Sequence, residues 1–250
     1  MNKLGQHFLI NKRKIQKIVE VLELKDGDTV IEIGPGHGEL TKQLIINNQQ
    51  LKIIAIEKDK ELVEFLKKRF AESKNVEIIE GDALKVFPFP IQNYKIVGNI
   101  PYYITGYLFR ILGELKNKPS LIVLMIQKEV AERVCANPPK MNLFAASVQF
   151  WAEPKIISSV SKKNFRPMPK VDSAVIKLKP LVTVSGSSEK YYKFIKVLFK
   201  QPRKTIMNNL RPMTNNPQLL KEKLELIGVN SQARPQNLNI KQIVELSTLF

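Results

Sequence analysis

The chain holds one cysteine, Cys135, and two histidines, His7 and His37, in 250 residues. One cysteine closes no intramolecular disulfide, and so little thiolate and imidazole leaves no material for a zinc site or a histidine-based nucleophilic triad. No metal is expected. Apolar runs are short, Leu121 to Ile126 being representative, and fall far below the roughly 20 residues that cross a bilayer. Residues 1–11 lack the sustained apolar stretch of a secretory leader. No membrane partner and a cytoplasmic location are therefore expected. Acidic residues are scarce as well: 23 Asp and Glu stand against 40 Lys and Arg, a formal charge of +17. The basic residues recur along the whole chain, and a polyanion is the natural partner of such a field. A lysine-rich surface that serves solubility alone is the plainer reading.

What is present is an ordinary core composition, 44% apolar, and a length that suits one large domain or one ordinary domain with a small one. Short β-branched runs at 29–33, 52–57, 76–82, 94–99 and 120–127 alternate with segments of helical spacing at 39–45, 58–70 and 107–115. Such alternation predicts a parallel sheet covered on both faces, with ligands at the carboxyl ends of the strands. Further on, helices are expected at 128–136 and 142–151, strands at 155–160 and 173–178, and a loop at 165–170. The stretch "LVTVSGSSEK" (181–190) reads as a linker. A catalytic domain over 1–180 and a small helical domain over 187–250 follow from this reading.

The first strand runs into "GPGHG", where Gly34 and Gly36 allow a tight turn and close backbone approach to a ligand. The spacing is not that of a dinucleotide fingerprint, and neither G-x-x-x-x-G-K-[ST] nor a basic residue within the turn offers to meet a pyrophosphate. Glu57 ends the next strand, where a carboxylate can accept from two ribose hydroxyls, and Asp82 follows the third, where it can accept from an adenine amine. Together these suit an adenosine without phosphate, and S-adenosylmethionine is the cofactor expected. Taken singly, either acid reads as a solvated strand end.

The segments "GQHFL" (5–9), "EIGPGHGELT" (32–41), "IEKD" (56–59), "GDAL" (81–84), "GNIPYYI" (98–104), "FRPMPKVDSAVI" (165–176), "QPRKTIMNNL" (201–210) and "ARPQNLNI" (233–240) resemble those of the small-subunit ribosomal RNA adenine dimethyltransferases. The resemblance covers nearly the full chain. It implies a Rossmann-like α/β fold, a seven-stranded methyltransferase sheet with a small C-terminal helical domain, and two successive methyl transfers to N6 of each of two adjacent adenosines. It also implies cofactor positions at His7, Leu9, Gly34, Glu57, Asp82 and Asn99. Two departures stand out: His7 replaces a frequent Asn, and Tyr103 stands where related members frequently have Asn. Implied partners are small-subunit ribosomal RNA and the immature small subunit, and nothing in the sequence demands more than a monomer.

The chemistry accounts for "NIPYY" by itself. The lone pair of adenine's exocyclic nitrogen is delocalised into the ring, which makes it a poor nucleophile. The Asn99 side-chain oxygen and a carbonyl near Ile100 or Pro101, both accepting from N6–H, favour a tetrahedral nitrogen and stabilise its growing positive charge. Pro101 fixes the backbone that aims the carbonyl, and Tyr102 offers a ring to stack the base. Phe165 is a candidate second ring, though without the resemblance a phenylalanine beside a proline turn reads rather as a core residue. Lys200, Arg203, Lys204 and Arg211 are candidate phosphate contacts. Two alternatives remain: a large-subunit adenine methyltransferase that confers antibiotic resistance, and a non-catalytic RNA-binding assembly factor.

Overall fold

The structure, a computed structural model, describes residues 6–89, 91–181, 188–214 and 216–250. A short strand β1 (Phe8–Leu9) and helix α1 (Lys12–Val21) lead into β2 (Thr29–Ile33), α2 (Glu39–Asn47), β3 (Lys52–Glu57), α3 (Lys60–Arg69), β4 (Val76–Glu80), α4 (Ala83–Val86), β5 (Tyr94–Asn99), α5 (Thr105–Glu114) and β6 (Leu121–Gln127). Helices α6 (Lys128–Val134) and α7 (Leu143–Gln149) precede β7 (Ala152–Val160), β8 (Phe165–Arg166) and β9 (Ser173–Pro180). Four further helices follow: α8 (Ser188–Leu198), α9 (Ile206–Leu210), α10 (Pro217–Leu226) and α11 (Ile240–Thr248).

Seven strands form one sheet in the order β4-β3-β2-β5-β6-β9-β7. Strands β2 to β6 run parallel, and β9 lies antiparallel on β6. Central strands β5 and β6 are buried along almost their whole length, as continuous Val and Ile runs between two helical layers should be. The apolar side chains of Val30, Ile53, Val97 and Val123 form one core with Ile15, Ile18 and Leu44 from α1 and α2. A buried lysine within the sheet is fully matched: Lys95 Nζ donates to Asp28 at 2.8 Å and to the Glu23 carbonyl at 2.6 Å, as a charge removed from water requires.

The chain divides into two compact units, one running up to Ala131 and resuming over Pro154–Pro180, the other comprising Glu132–Glu153 and the residues from Leu181 onward. The first unit ends at Pro180, where the sequence placed the end of its first domain, but 132–153 group with the helical unit. There the Phe150 ring stacks on Tyr191 with centroids 3.8 Å apart, the Tyr191 hydroxyl donates to the Ala146 carbonyl at 3.0 Å, and Met141, Ala145 and Ala146 share a core with Phe194, Ile195 and Leu198. Of the expected linker, 182–187 lie outside the described residues, and α8 already begins at Ser188. Pro217 opens α10 and Pro235 opens a 3-10 turn, the first-turn positions where a missing N–H costs nothing.

Candidate active site

Chain order reverses between β2 and β5, which are neighbours in the sheet while β3 and β4 lie to one side and β6 to the other. A crevice opens outside the strand ends at such a point. It is lined by Phe8, Gly34, Gly36, Glu57, Asp82 and Asn99 among others, and holds about 890 Å³ of empty space, part of it open to solvent. That suits a cofactor-sized molecule. Gly36 has φ +59°, and a Cβ there would stand 2.7 Å from the Phe8 ring. Only glycine allows this close approach.

Glu57 ends β3 almost fully buried, at 3% exposure. Its carboxylate is oriented by three backbone donors: Gly36 N–H at 3.1 Å on one oxygen, Lys58 and Asp59 N–H at 2.8 and 3.0 Å on the other. Oε1 thereby has both acceptor sites engaged, and Oε2 keeps one for a hydroxyl in the crevice. Asp82 caps α4 by accepting from Leu84 N–H at 3.0 Å and pairs with the Lys58 ammonium at 3.0 Å. Burial opposes its charge, but Lys58 and the Leu84 N–H outweigh that and hold the carboxyl below its ordinary value.

Asn99 closes β5 opposite Gly34. Its amide NH2 donates to the His7 carbonyl at 2.7 Å, which commits the nitrogen to protein and leaves Oδ1 to accept from a ligand. The His7 carbonyl is itself held in place from a distant part of the chain. Strand β1 pairs antiparallel with β8, Ile10 N–H donates to the Asn164 carbonyl at 2.9 Å, and the His7 ring binds the Pro167 carbonyl at 2.8 Å. Next to Asn99, Pro101 starts a 3-10 turn in which its carbonyl accepts from Ile104 N–H at 3.2 Å. The Tyr102 hydroxyl shares a 2.8 Å hydrogen bond with Ser173 Oγ, and burial pushes its pKa up.

A family model described as Ribosomal RNA adenine dimethylase matches residues 1–250. The chain belongs to that family. It is 37% identical to the Ribosomal RNA small subunit methyltransferase A of Mycoplasma capricolum subsp. capricolum, over 98% of this chain and 96% of the relative. Among solved structures, a dimethyladenosine transferase from Plasmodium falciparum superposes with a TM-score of 0.86 at 28% identity, covering 96% of each chain. A 23S rRNA methyltransferase, ErmE, shares the fold with a TM-score of 0.81 at 24% identity, over 96% of this chain and 98% of that one.

Of the positions expected from the sequence, His7, Gly34, Gly36, Glu57, Asp82, Asn99, Pro101 and Tyr102 all line the crevice. His7 contributes its carbonyl to Asn99, while its ring is engaged with Pro167. Leu9 does not line it: its side chain is buried in the sheet core. Phe165 is likewise corrected. It is 1% exposed, packs in the same core and pairs with Leu9 in the β1–β8 ladder, so it presents no face to a base. The expected loop at 165–170 thus begins with strand β8.

Sequence reading assigned no role to Lys58, Phe8 or Arg69, and noted Tyr103 only as a departure from the family pattern. The glycine turn itself carries no cation, but α3 brings Arg69 to the His37 carbonyl, where its charge is matched by Glu39 at 2.9 Å. Only the side chain's reach across the fold reveals that contact. In the helical unit, Lys200, Arg203, Lys204 and Arg211 are all exposed, and none of them forms a salt bridge among the described residues. The loop that carries the first three is knotted by buried Asn209, which accepts from Gln201 N–H at 2.9 Å and donates to the Gln201 and Thr205 carbonyls, each at 3.0 Å.

Proposed function

We propose that the chain dimethylates N6 of two adjacent adenosines near the 3′ end of small-subunit ribosomal RNA, using S-adenosylmethionine, in the cytoplasm and on the immature small subunit. The monomer is the proposed active form. The observation that carries this reading is the Asn99 amide, turned by the His7 carbonyl at 2.7 Å so that its oxygen is the acceptor left beside the cofactor crevice.

The residues present fit the cofactor. A Cβ at Gly36 would fill the cradle, Glu57 offers an oriented Oε2 with a free acceptor site, and the nearby cations Lys58 and Arg69 are matched by Asp82 and Glu39 rather than held for a phosphate. When bound, S-adenosylmethionine supplies an electrophilic methyl on a sulfonium. Glu57 Oε2 accepts from a ribose hydroxyl, and Asp82 accepts from the adenine amine. Asn99 Oδ1 and the Ile100 carbonyl accept the two N6–H groups of the target base, since the Pro101 carbonyl is already engaged by Ile104 N–H. The pair draws the nitrogen lone pair out of the ring and stabilises the charge that develops there. Asn99 takes no proton, and the cationic product nitrogen is acidic enough to release its own to water.

Tyr102, held by Ser173, stacks the extruded base, worth roughly 1 to 3 kcal/mol. That offsets an unstacking cost of about a few kcal/mol. Lys200, Arg203, Lys204 and Arg211 contact phosphates and position the RNA without reading its bases. Incubating the protein with methyl-labelled cofactor and either immature small subunits or large-subunit RNA tests the assignment. Label is expected in the small-subunit RNA as N6,N6-dimethyladenosine. Label found only in large-subunit RNA rejects it.

A further inference from the structure

Two consecutive tyrosines line the crevice, and their surroundings differ. Tyr102 is tied to Ser173 at 2.8 Å and stands 6.0 Å from the His7 ring, among the groups that hold Asn99. Tyr103 lies two residues before α5, and α5 packs against α4, the helix that Asp82 caps. With Lys58 and Asp82, which pair at 3.0 Å, lining the same crevice, Tyr103 belongs to the Asp82 end of it. The wall there is apolar, made by Ile56, Ala83 and Leu84. Tyr103 itself is 65% exposed, so its ring stands at the rim and not in the core.

A purine bound with its amine on Asp82 has one face against that apolar wall and needs a cover for the other. We propose that Tyr103 is the ring that covers the cofactor's adenine, so that adjacent tyrosines divide the two purines of the reaction, Tyr102 taking the substrate base and Tyr103 the cofactor. This rests on the reading of Asp82 as the adenine end. The arrangement has a use in the reaction. Each methyl consumes one cofactor and each adenosine receives two, so the spent molecule must leave between transfers. A ring on the exposed side of the 3-10 turn Tyr102–Ile104 can swing outward while Asn99, anchored by His7, stays in place.

Calorimetric titration of the full chain with S-adenosylhomocysteine, in the absence of RNA, tests this. Tyr103→Ala is expected to weaken binding about 5- to 30-fold, the loss of one stacked ring. Tyr103→Phe should stay within about two-fold, because the ring face and not the hydroxyl makes the contact. A thermal melt of each variant checks folding, which an exposed side chain should not disturb. Wild-type affinity in Tyr103→Ala overturns the proposal. Asp82→Ala then separates the reasons: weakened binding there keeps the adenine at Asp82 and removes only the ring, whereas wild-type affinity removes the adenine placement too.

Discussion

Glu32, two residues before Gly34, is a carboxylate at 1% exposure whose Oε2 accepts the Thr41 hydroxyl at 2.6 Å. Burial pushes its pKa from 4.5 to about 7; the Thr41 hydrogen bond resists this and the Glu57 charge adds to it. The folded chain therefore keeps a proton that the unfolded chain has released over this interval. The stability linked to that proton is complete below about 4.5 and is lost as pH rises to about 7. Glu32→Gln, which cannot titrate, should lose less stability between pH 5 and pH 8 than the wild type, by on the order of a few kcal/mol, read as a smaller fall in melting temperature. Parallel melting profiles for the two proteins would contradict this. The acid's position in "EIGPG" was readable from the sequence, but its burial was not, because a strand's last polar residue is more often solvated.

At the scale of elements, the glycine turn between β2 and α2 joins two devices. It brings Gly36 N–H to Glu57, and it leaves room for the Phe8 ring, which also packs on His37 with centroids 4.4 Å apart. Gly36→Ala would strain a φ of +59° and drive the new Cβ into Phe8. A loss of about 1 to 3 kcal/mol in stability and about tenfold weaker cofactor binding are expected, measured by equilibrium denaturation and by titration. Unchanged values for both would contradict the role given to the turn. The parallel strands and their helices were legible because β-branched runs alternate with helical spacing. Strands β1 and β8 were not: two residues carry no periodicity, and their pairing joins distant parts of the chain. The same gap explains Phe165. Its proline-flanked motif allows either a stacking ring or a core residue, and the ladder with Leu9 decides for the core. Likewise, α7 carries no mark of the unit it joins until Phe150 meets Tyr191.

At the scale of the molecule, a formal charge of +17 and an exposed set of unbridged cations at 200–211 fit a phosphate backbone. RNA affinity should then fall steeply with salt, the logarithm of the binding constant decreasing linearly with the logarithm of salt concentration. A flat response, measured by filter binding, would contradict a charge-driven partnership. No helix among the described residues is long and apolar enough to cross a membrane. The substrate class was legible from motifs spread over nearly the whole chain. What holds the Asn99 amide was not, because the His7 carbonyl that accepts from it is placed by the β1–β8 pairing.

The most direct measurement is the effect of Asn99→Ala on methyl transfer to immature small subunits, followed by mass spectrometry of the RNA, with RNA and cofactor affinities measured alongside. Loss of an oriented partner of the developing charge predicts a fall of about 100-fold or more in turnover, with RNA affinity retained and both dimethyladenosines missing. Near-normal turnover, with the two modified bases still formed, would contradict the account.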